Sequence, residues 1–317
     1  MKLLGSLALL AAIAVPSAPR GVDPHEPGGC EVLPQTDAFH QDVSELDEAE
    51  NSEAVIDRIL ADGGDTLHPD FGSNPNYGIP FEVVPSDQKR VAVKLKAYPH
   101  ESDPGPHPIP RKARIEGGKR SNGDRHVLVL EQDSTDTDMA CRLIELSRAF
   151  PPKNGKPWKA DQASVFDLGQ DLPQRPDGWT SADAAGLPIL PGLVRHDEVA
   201  AGFIDHAIRI TFERTRRAYL SPASHFASDE CGLTLPPMGM RLRLREGYEL
   251  DGMSPEARTI AQALKTYGAI VADNGSNFYI TGASDSRWND DALSDLKDVP
   301  GSAFEVVDTD AQLTDDC

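Results

Sequence analysis

The sequence predicts a β-rich fold of the α+β class, with an antiparallel sheet core shaped as a sandwich or a barrel, a few packed helices and long ordered loops. Short apolar or alternating runs, which are typical of strands, outnumber the segments with helical periodicity. The two kinds of segment do not alternate regularly, which argues against a doubly wound parallel sheet. The 26 prolines and 26 glycines are spread along the 317 residues and indicate many short elements joined by ordered loops.

The first 18 residues have the pattern of a secretory signal peptide. Lys2 is followed by an apolar run over residues 3–15, and Ala12-Ile13-Ala14 is a small-x-small cleavage site. The run is shorter than the roughly 20 apolar residues that cross a bilayer, and no later segment approaches that length. We therefore expect a secreted protein, extracellular or periplasmic, without membrane insertion.

The rest of the chain is predicted to divide into an N-terminal extension, residues 19–65, and a single β-rich globular domain, residues 66–317. The extension contains one stretch of partial helical spacing over 43–60, and Gly63-Gly64 ends it. We find no internal repeat at a fixed period, and we expect the domain to be a monomer.

Secondary structure in the domain is predicted from hydrophobic spacing and from capping residues. Helical spacing predicts a helix over 138–150 and a single turn over 197–201. Ser254 as N-cap and Pro255 in the first turn begin another helix, which ends at Gly268. Apolar or alternating runs predict strands at 91–98, 126–130, 164–168, 204–212, 240–245 and 303–307.

Charge and cysteine content limit the classes of partner. The net charge is −20, and so acidic a surface repels phosphate backbones, which argues against a nucleic-acid partner. An even number of cysteines in an exported chain predicts two disulfides, with all three pairings open. The spacing fits no zinc pattern, because no C-x-x-C occurs. The cysteines are Cys30, Cys141, Cys231 and Cys317.

Several sequence runs occur together in this chain. They are LHPDFG at 67–72, ESDPGP at 101–106, IEGG at 115–118 with GDRH at 123–126, WTSADAAGLPILPGL at 179–193, and ADNGS at 272–276. Together these runs resemble those of a group of exported bacterial proteins without an assigned activity. The resemblance covers roughly residues 65–308 and implies one contiguous domain in a bacterial secreted protein. It implies no catalytic residues.

Glu116, Asp124 and His126 form the strongest cluster of candidate catalytic residues. Glu116 precedes Gly117-Gly118, and glycines let the backbone approach a ligand closely. Asp124 and His126 are two residues apart and would share one face of a strand. A carboxylate beside an imidazole can serve as an acid/base pair or as half of a metal site. The alternative is a turn aspartate and a core histidine bonded to the backbone.

Asp273 and His206 are further catalytic candidates. Asp273 lies beside Asn274-Gly275, a turn flanked by apolar runs that predicts a β-hairpin. His206 lies on a predicted strand, where it could act as a base. The alternatives are turn chemistry for the aspartate and a structural role for the histidine.

Four residues are candidates for substrate binding. Arg125 or Arg209 could neutralise the carboxylate of an acidic sugar, or could form an ordinary ion pair. Trp179 and Trp288 lie among loop residues, where exposed aromatic rings can stack on sugars. Burial of the tryptophans under loops is the alternative.

No cofactor is expected, and two metal sites remain as weaker alternatives. His68 and Asp70 lie in a loop and could contribute to a metal site. The acidic loop with Asp133, Asp136 and Asp138 offers oxygen ligands that calcium could use, although it lacks the glycine and distal glutamate of an EF-hand.

These features together predict a secreted carbohydrate-active enzyme that acts on a polysaccharide. The first hypothesis is a glycoside hydrolase, with Glu116 and Asp124 as acid and base or nucleophile, or a polysaccharide lyase with a histidine base. One alternative is a non-catalytic extracellular protein of the envelope or one that binds carbohydrate. Another is a metal-dependent hydrolase built on His68, Asp70, Asp124 and His126. Motifs of ordinary esterases, zincins and nucleotide enzymes are absent from the sequence.

Overall fold

The computed structural model describes residues 23–132, 141–153 and 157–317. The predicted signal peptide and the acidic loop proposed for calcium, with Asp133, Asp136 and Asp138, lie outside these ranges. Strands account for 24% and helices for 17%, which confirms the predicted β-rich class. Within the described ranges we find no helix with the length and apolarity needed to cross a bilayer.

The described ranges contain four short α-helices and fourteen strands. The helices are α1 (Ser52–Ala61), α2 (His196–Ala201), α3 (Pro255–Thr266) and α4 (Asp290–Ser294). The strands are β1 (His68–Pro69), β2 (Phe81–Val84), β3 (Val93–Leu95), β4 (Val127–Gln132), β5 (Cys141–Ser147), β6 (Trp158–Ala160), β7 (Gln162–Asp167), β8 (Ile208–Phe212), β9 (Ala218–Leu220), β10 (Arg241–Leu244), β11 (Ala269–Asn274), β12 (Tyr279–Ile280), β13 (Phe304–Val306) and β14 (Leu313–Asp315).

A six-stranded sheet curls into a half-barrel, with the strand order β1-β12-β8-β11-β10-β13. The pairs β1–β12 and β8–β11 are parallel and the other three are antiparallel, so this sheet is mixed. Along β8, Ile208, Ile210 and Phe212 enter the larger hydrophobic core. Arg209 and Thr211 alternate with them and therefore point to the opposite face.

In a four-stranded sheet, β2-β4-β5-β7, the central strands β4 and β5 are largely buried on both faces. Leu143 on β5 faces the larger core, and its neighbour Ile144 faces a smaller core around Trp158. The helix predicted over 138–150 is wrong where the structure describes it, because β5 occupies 141–147. A strand buried on both faces is apolar along its whole length, and this pattern also contains helical spacings.

The β-hairpin predicted at Asn274-Gly275 is also wrong. The flanking strands β11 and β12 both exist, but β8 lies between them and pairs with each. The turn therefore carries the chain past the end of β8. The predicted helix with Ser254 as its N-cap is confirmed. The Ser254 side chain accepts from the Ala257 N–H, and Gly268 follows the helix with a φ of +68°.

Both predicted disulfides are present. Cys30 bonds to Cys141 on β5, and Cys231 bonds to Cys317. The first bridge joins the segment predicted as an extension to the four-stranded sheet. That segment also contributes Leu33, Phe39, Val55, Ile56 and Ile59 to the larger core.

Candidate functional site

Two buried cations and three carboxylates meet between the two large sheets. We name the set Glu116, His126, Asp183, Arg209 and Asp273 the charge network. His126 directly precedes β4, whereas Arg209 lies on β8 and Asp273 on β11. Asp183 lies in the loop that connects the two sheets.

Arg209 is the centre of the charge network. Its guanidinium binds Asp183 through two bonds of 2.6 Å, from Nε to Oδ2 and from Nη2 to Oδ1. Nη2 also donates to Asp273 Oδ2 at 3.1 Å, and Nη1 donates to Thr281 Oγ1 at 2.8 Å. The paired geometry matches a guanidinium to a carboxylate and fixes both groups. Burial lowers the pKa of Arg209, but the Asp183 carboxylate more than offsets this effect and raises it.

The loop that carries Asp183 is bonded to both sheets. At the four-stranded sheet, the Ala182 carbonyl accepts from His126 Nε2 at 3.0 Å. At the six-stranded sheet, the Ala185 N–H donates to the Ala272 carbonyl at 2.9 Å. Next to Asp183, the Ser181 hydroxyl accepts from the Asp183 N–H and donates to the Leu187 carbonyl. These bonds hold the Asp183 carboxylate toward Arg209.

A β-bulge turns Asp273 toward Arg209. The pairing of β11 with β8 is regular from Ala269 to Val271, then skips Ala272, so that Asp273 pairs with Thr211. In a regular strand Asp273 would pair with Phe212 and point into the core. The skipped residue leaves its carbonyl free to accept from Ala185, as described above. The bulge therefore places the Asp273 carboxyl on the face of Arg209.

Glu116 and His126 form the second ion pair of the network. His126 Nδ1 lies 2.7 Å from Glu116 Oε2, which also accepts from the His126 backbone N–H. Both ring nitrogens of His126 face oxygen acceptors, since Nε2 faces the Ala182 carbonyl. This arrangement suits an imidazolium, which donates from both nitrogens. The histidine is buried, while the Glu116 side chain is 25% exposed.

The environment drives the two members of this ion pair toward their charged forms. Burial raises the pKa of Glu116, but the charge and hydrogen bonds of His126 outweigh it and lower the pKa to about 2. Burial lowers the pKa of His126, but the charge of Glu116 and their hydrogen bond raise it to about 9. Both groups are therefore charged at neutral pH.

Asp273 has the opposite protonation behaviour. Burial and the charge of Asp183 raise the pKa of Asp273 to about 8, against the lowering effect of Arg209. Arg209 is already neutralised by its paired bonds to Asp183, which explains why it does not hold Asp273 ionised. The Asp273 side chain is 23% exposed. The charge network thus presents one ionised and one protonated carboxyl group, Glu116 and Asp273, that are both accessible to solvent.

Glu145 on β5 is a further buried carboxylate close to the network. It accepts from the backbone N–H groups of Ile189 and Leu190, at the end of the loop that carries Asp183. Burial raises the pKa of Glu145 to about 7 against these hydrogen bonds. Because it is fully buried and bonded to the loop, its role is to hold the loop.

Asp124 and His206 do not join the charge network. Asp124 is exposed, whereas His126 is buried, so the two side chains do not share a face. The reason is the residue between them: Arg125 has a φ of +54°, and β4 begins only at Val127. His206 is buried, with Nε2 3.3 Å from Glu198 Oε1. The catalytic roles expected of Asp124 and His206 receive no support from this placement.

The four predicted substrate-binding residues lie in different environments. Arg209 is committed to the charge network. Trp288 is only 4% exposed and donates to the Ala283 carbonyl, so its ring has no open face for a sugar. Trp179 is half-buried, with the Arg175 guanidinium 5.4 Å from its ring centroid. Arg125 is buried and lines a separate pocket, which is described below.

The metal candidates His68 and Asp70 line a pocket of about 270 Å³ beside the network. His68 stacks on Tyr279, and desolvation followed by the charge of Lys297 lowers the pKa of His68. Desolvation raises the pKa of Asp70; the charge of His68 opposes the shift, and the charge of Glu116 adds to it. These two residues are not part of a group with metal-ligand geometry in the described ranges.

One group in the described ranges does bring three ligand-type side chains together: His25, Glu198 and Asp205. Glu198 is already bonded to Arg195 and His206. The positive charge of the Arg195 guanidinium would repel a metal ion bound here. We therefore interpret this group as a cluster of ion pairs and not as a metal site.

Sequence reasoning missed Asp183, which anchors the whole network. The signal was present, because the run at 179–193 contains a single acidic residue amid small and apolar ones. An isolated carboxylate in such a run must be buried with a partner, and a buried arginine is the strongest one available.

Comparisons of this chain with family models, with curated proteins and with solved structures find no match.

Proposed function

We propose that this protein hydrolyses glycosidic bonds, with Asp273 as general acid and Glu116 as the ionised carboxylate. One observation carries the proposal. Two partly exposed carboxyl groups are held at the same network by buried cations, Asp273 by Arg209 and Glu116 by His126. Glycoside hydrolysis needs two such groups in opposite protonation states.

Each residue of the network has a role in this mechanism. Asp273 donates its proton to the oxygen that leaves when the glycosidic bond breaks. Glu116 either removes a proton from the water that attacks the sugar carbon or attacks that carbon itself. In the second case Asp273 takes a proton from water, which releases the sugar from Glu116 and restores the proton of Asp273. Asp183 keeps Arg209 neutralised, so that Asp273 retains its proton at neutral pH. His126 keeps Glu116 ionised through the 2.7 Å bond.

A lyase is less well supported than a hydrolase. A lyase needs a neutral base and a free cation for the sugar carboxylate. The pKa of about 9 for His126 leaves it protonated at neutral pH, and Arg209 is occupied by Asp183. The metal-dependent alternative is also less well supported, because its four predicted ligands are not brought together in the described ranges.

The experiment is incubation of the purified protein with a panel of polysaccharides, with measurement of released reducing ends. We expect Glu116→Gln and Asp273→Asn each to lower the rate by about 10²–10⁴-fold, as loss of an acid/base group does. Asp124→Asn is the matched control and leaves the rate unchanged, because that carboxylate is exposed and outside the network. Circular dichroism checks that the variants are folded.

The pH profile gives a second readout. We expect the rate to fall as pH rises through about 8, where Asp273 loses its proton. The proposal fails if the protein cleaves no polysaccharide of the panel, or if folded Glu116→Gln and Asp273→Asn variants cleave as fast as the unmodified protein.

A further inference from the structure

A second pocket, of about 770 Å³, is lined by basic residues together with a phenylalanine and prolines. We name it the basic pocket. Its volume lies within the range of about 300–1,000 Å³ that is usual for small-ligand sites. It shares no residue with the charge network. The charged residues that line it are Lys96, Lys119, Arg125, Arg148, Lys153, Lys159 and Asp161.

The charge of the basic pocket is opposite to that of the whole chain. Among the described residues, six basic residues and one acidic residue give the lining a formal charge of +5. The chain has a net charge of −20, so the remainder carries −25. Within the described ranges, the only ion pair among these lining residues is Arg148 with Asp161, at 3.0 Å. Cations concentrated in one pocket repel one another, and an anionic ligand would relieve that repulsion.

Arg125 gives this pocket a rigid wall. It is buried and donates to three backbone carbonyls, those of Ala149, Lys119 and Ser121. Carbonyls orient a guanidinium but do not neutralise its charge. The Arg125 guanidinium lies 4.4 Å from the ring centroid of Phe150, which is a close cation–π contact.

Phe150 adds an apolar surface to the same pocket. Its side chain lines the pocket and the residue is 41% exposed, although a phenylalanine is usually buried. Pro151, Pro152 and Pro157 line the pocket beside it. An aromatic ring beside separated cations suits a ligand with apolar faces and anionic substituents.

We propose that the basic pocket binds a short acidic oligosaccharide. The sugar carboxylates or sulfates pair with Lys119, Lys159 and the neighbouring basic groups, and an apolar sugar face packs on Phe150. Nucleic acid also carries anions and flat rings, but its backbone would extend from the pocket onto a surface with a net charge of −25. The proposal is independent of the hydrolase, because it concerns binding and uses other residues.

Isothermal titration calorimetry with defined tetrasaccharides tests the proposal. The probes are tetragalacturonate, a sulfated chondroitin tetrasaccharide, uncharged maltotetraose and a single-stranded oligonucleotide of four phosphates. The titrations use the Glu116→Gln variant, so that turnover does not consume a probe. We expect at least one acidic tetrasaccharide to bind, with an affinity that falls as sodium chloride increases, and maltotetraose not to bind.

Two double variants locate the binding. Lys119→Gln with Lys159→Gln should weaken binding of the acidic tetrasaccharide about tenfold, since each exposed charge pair contributes up to about 1 kcal/mol. Lys89→Gln with Lys112→Gln removes the same charge at exposed lysines outside the pocket lining and should change the affinity less than twofold. Equal weakening by both double variants overturns the proposal. It is also overturned if neither acidic tetrasaccharide binds at low salt, or if the oligonucleotide binds more tightly than both.

Discussion

The charge network and the basic pocket differ in whether their cationic side chains are paired with carboxylates. In the network, Arg209 and His126 are buried, and each is bonded to a carboxylate at 2.6–2.7 Å. Of the described charged residues that line the basic pocket, six are basic and one, Asp161, is acidic. A cation removed from water needs an internal partner, whereas an exposed one is solvated and does not.

This difference distinguishes charges that stabilise the fold from charges that are available for binding. Charges of the network are part of the folded structure, because removal of either partner leaves the other buried and unpaired. The exposed lysines of the pocket contribute little to folding and remain available to a ligand, whereas the buried Arg125 is held by backbone carbonyls. The comparison therefore predicts opposite costs in stability for substitutions in the two regions.

The largest effect is expected from Asp183→Asn, which leaves Arg209 without its main partner. The free energy of unfolding should fall by about 3–5 kcal/mol, the usual cost of breaking a buried ion pair. Urea denaturation followed by tryptophan fluorescence measures it. The double variant Asp183→Asn with Arg209→Met removes both charges and should recover part of the loss. A fall below about 1 kcal/mol for Asp183→Asn would contradict the assigned role of the pair.

The next effect concerns the pH dependence that the Glu116–His126 pair gives to stability. The pKa of His126 is raised to about 9 from its ordinary value of 6.5, so its contribution is complete below pH 6.5 and is lost as pH rises through 9. The pKa of Glu116 is lowered to about 2, so its contribution is complete above pH 4.5 and is lost as pH falls through 2.

We therefore expect the free energy of unfolding to decrease between pH 6.5 and 9 by on the order of 2 kcal/mol more in the unmodified protein than in His126→Gln. Denaturation at several pH values measures the two slopes. His100→Gln, at an exposed histidine, is the control and keeps the slope of the unmodified protein. Equal slopes for His126→Gln and the unmodified protein would mean that the pair does not contribute.

The smallest effect is expected in the basic pocket. Lys119→Gln and Lys159→Gln should each change the free energy of unfolding by less than about 0.5 kcal/mol, in the stabilising direction where like charges are relieved. The same denaturation assay applies. A loss above about 1 kcal/mol for either substitution would show that these lysines belong to the folded structure, as Arg209 does.

Four of the five residues of the charge network could be predicted from the sequence. These four are Glu116, His126, Arg209 and Asp273. Charged residues that lie beside glycines, in turns or on strands can be recognised from the sequence alone. Asp183 was missed, since the need for a carboxylate in that run follows only from its burial against Arg209. Regular strand alternation predicts that Asp124 and His126 share a face, but the positive φ of Arg125 between them breaks that alternation.

The fold, like the charge network, could be predicted only in part. The β-rich class and helix α3 could be derived from spacing and from the Ser254 cap. The pairing of strands could not be predicted, because β8 begins 61 residues before β11 in the chain and yet lies between β11 and β12 in the sheet. Neither local turn chemistry nor periodicity contains information about such a distant strand.

The two disulfides divide the chain into covalent units that match the parts of the charge network. Residues 30–141 form one closed loop, which contains Glu116 and His126, and residues 231–317 form another, which contains Asp273. Asp183 and Arg209 lie in the open stretch between the loops. A protease cut inside either loop leaves the polypeptide in one piece until the bridge is reduced. A cut between 142 and 230 releases two fragments, and each would keep one of the two exposed carboxyl groups.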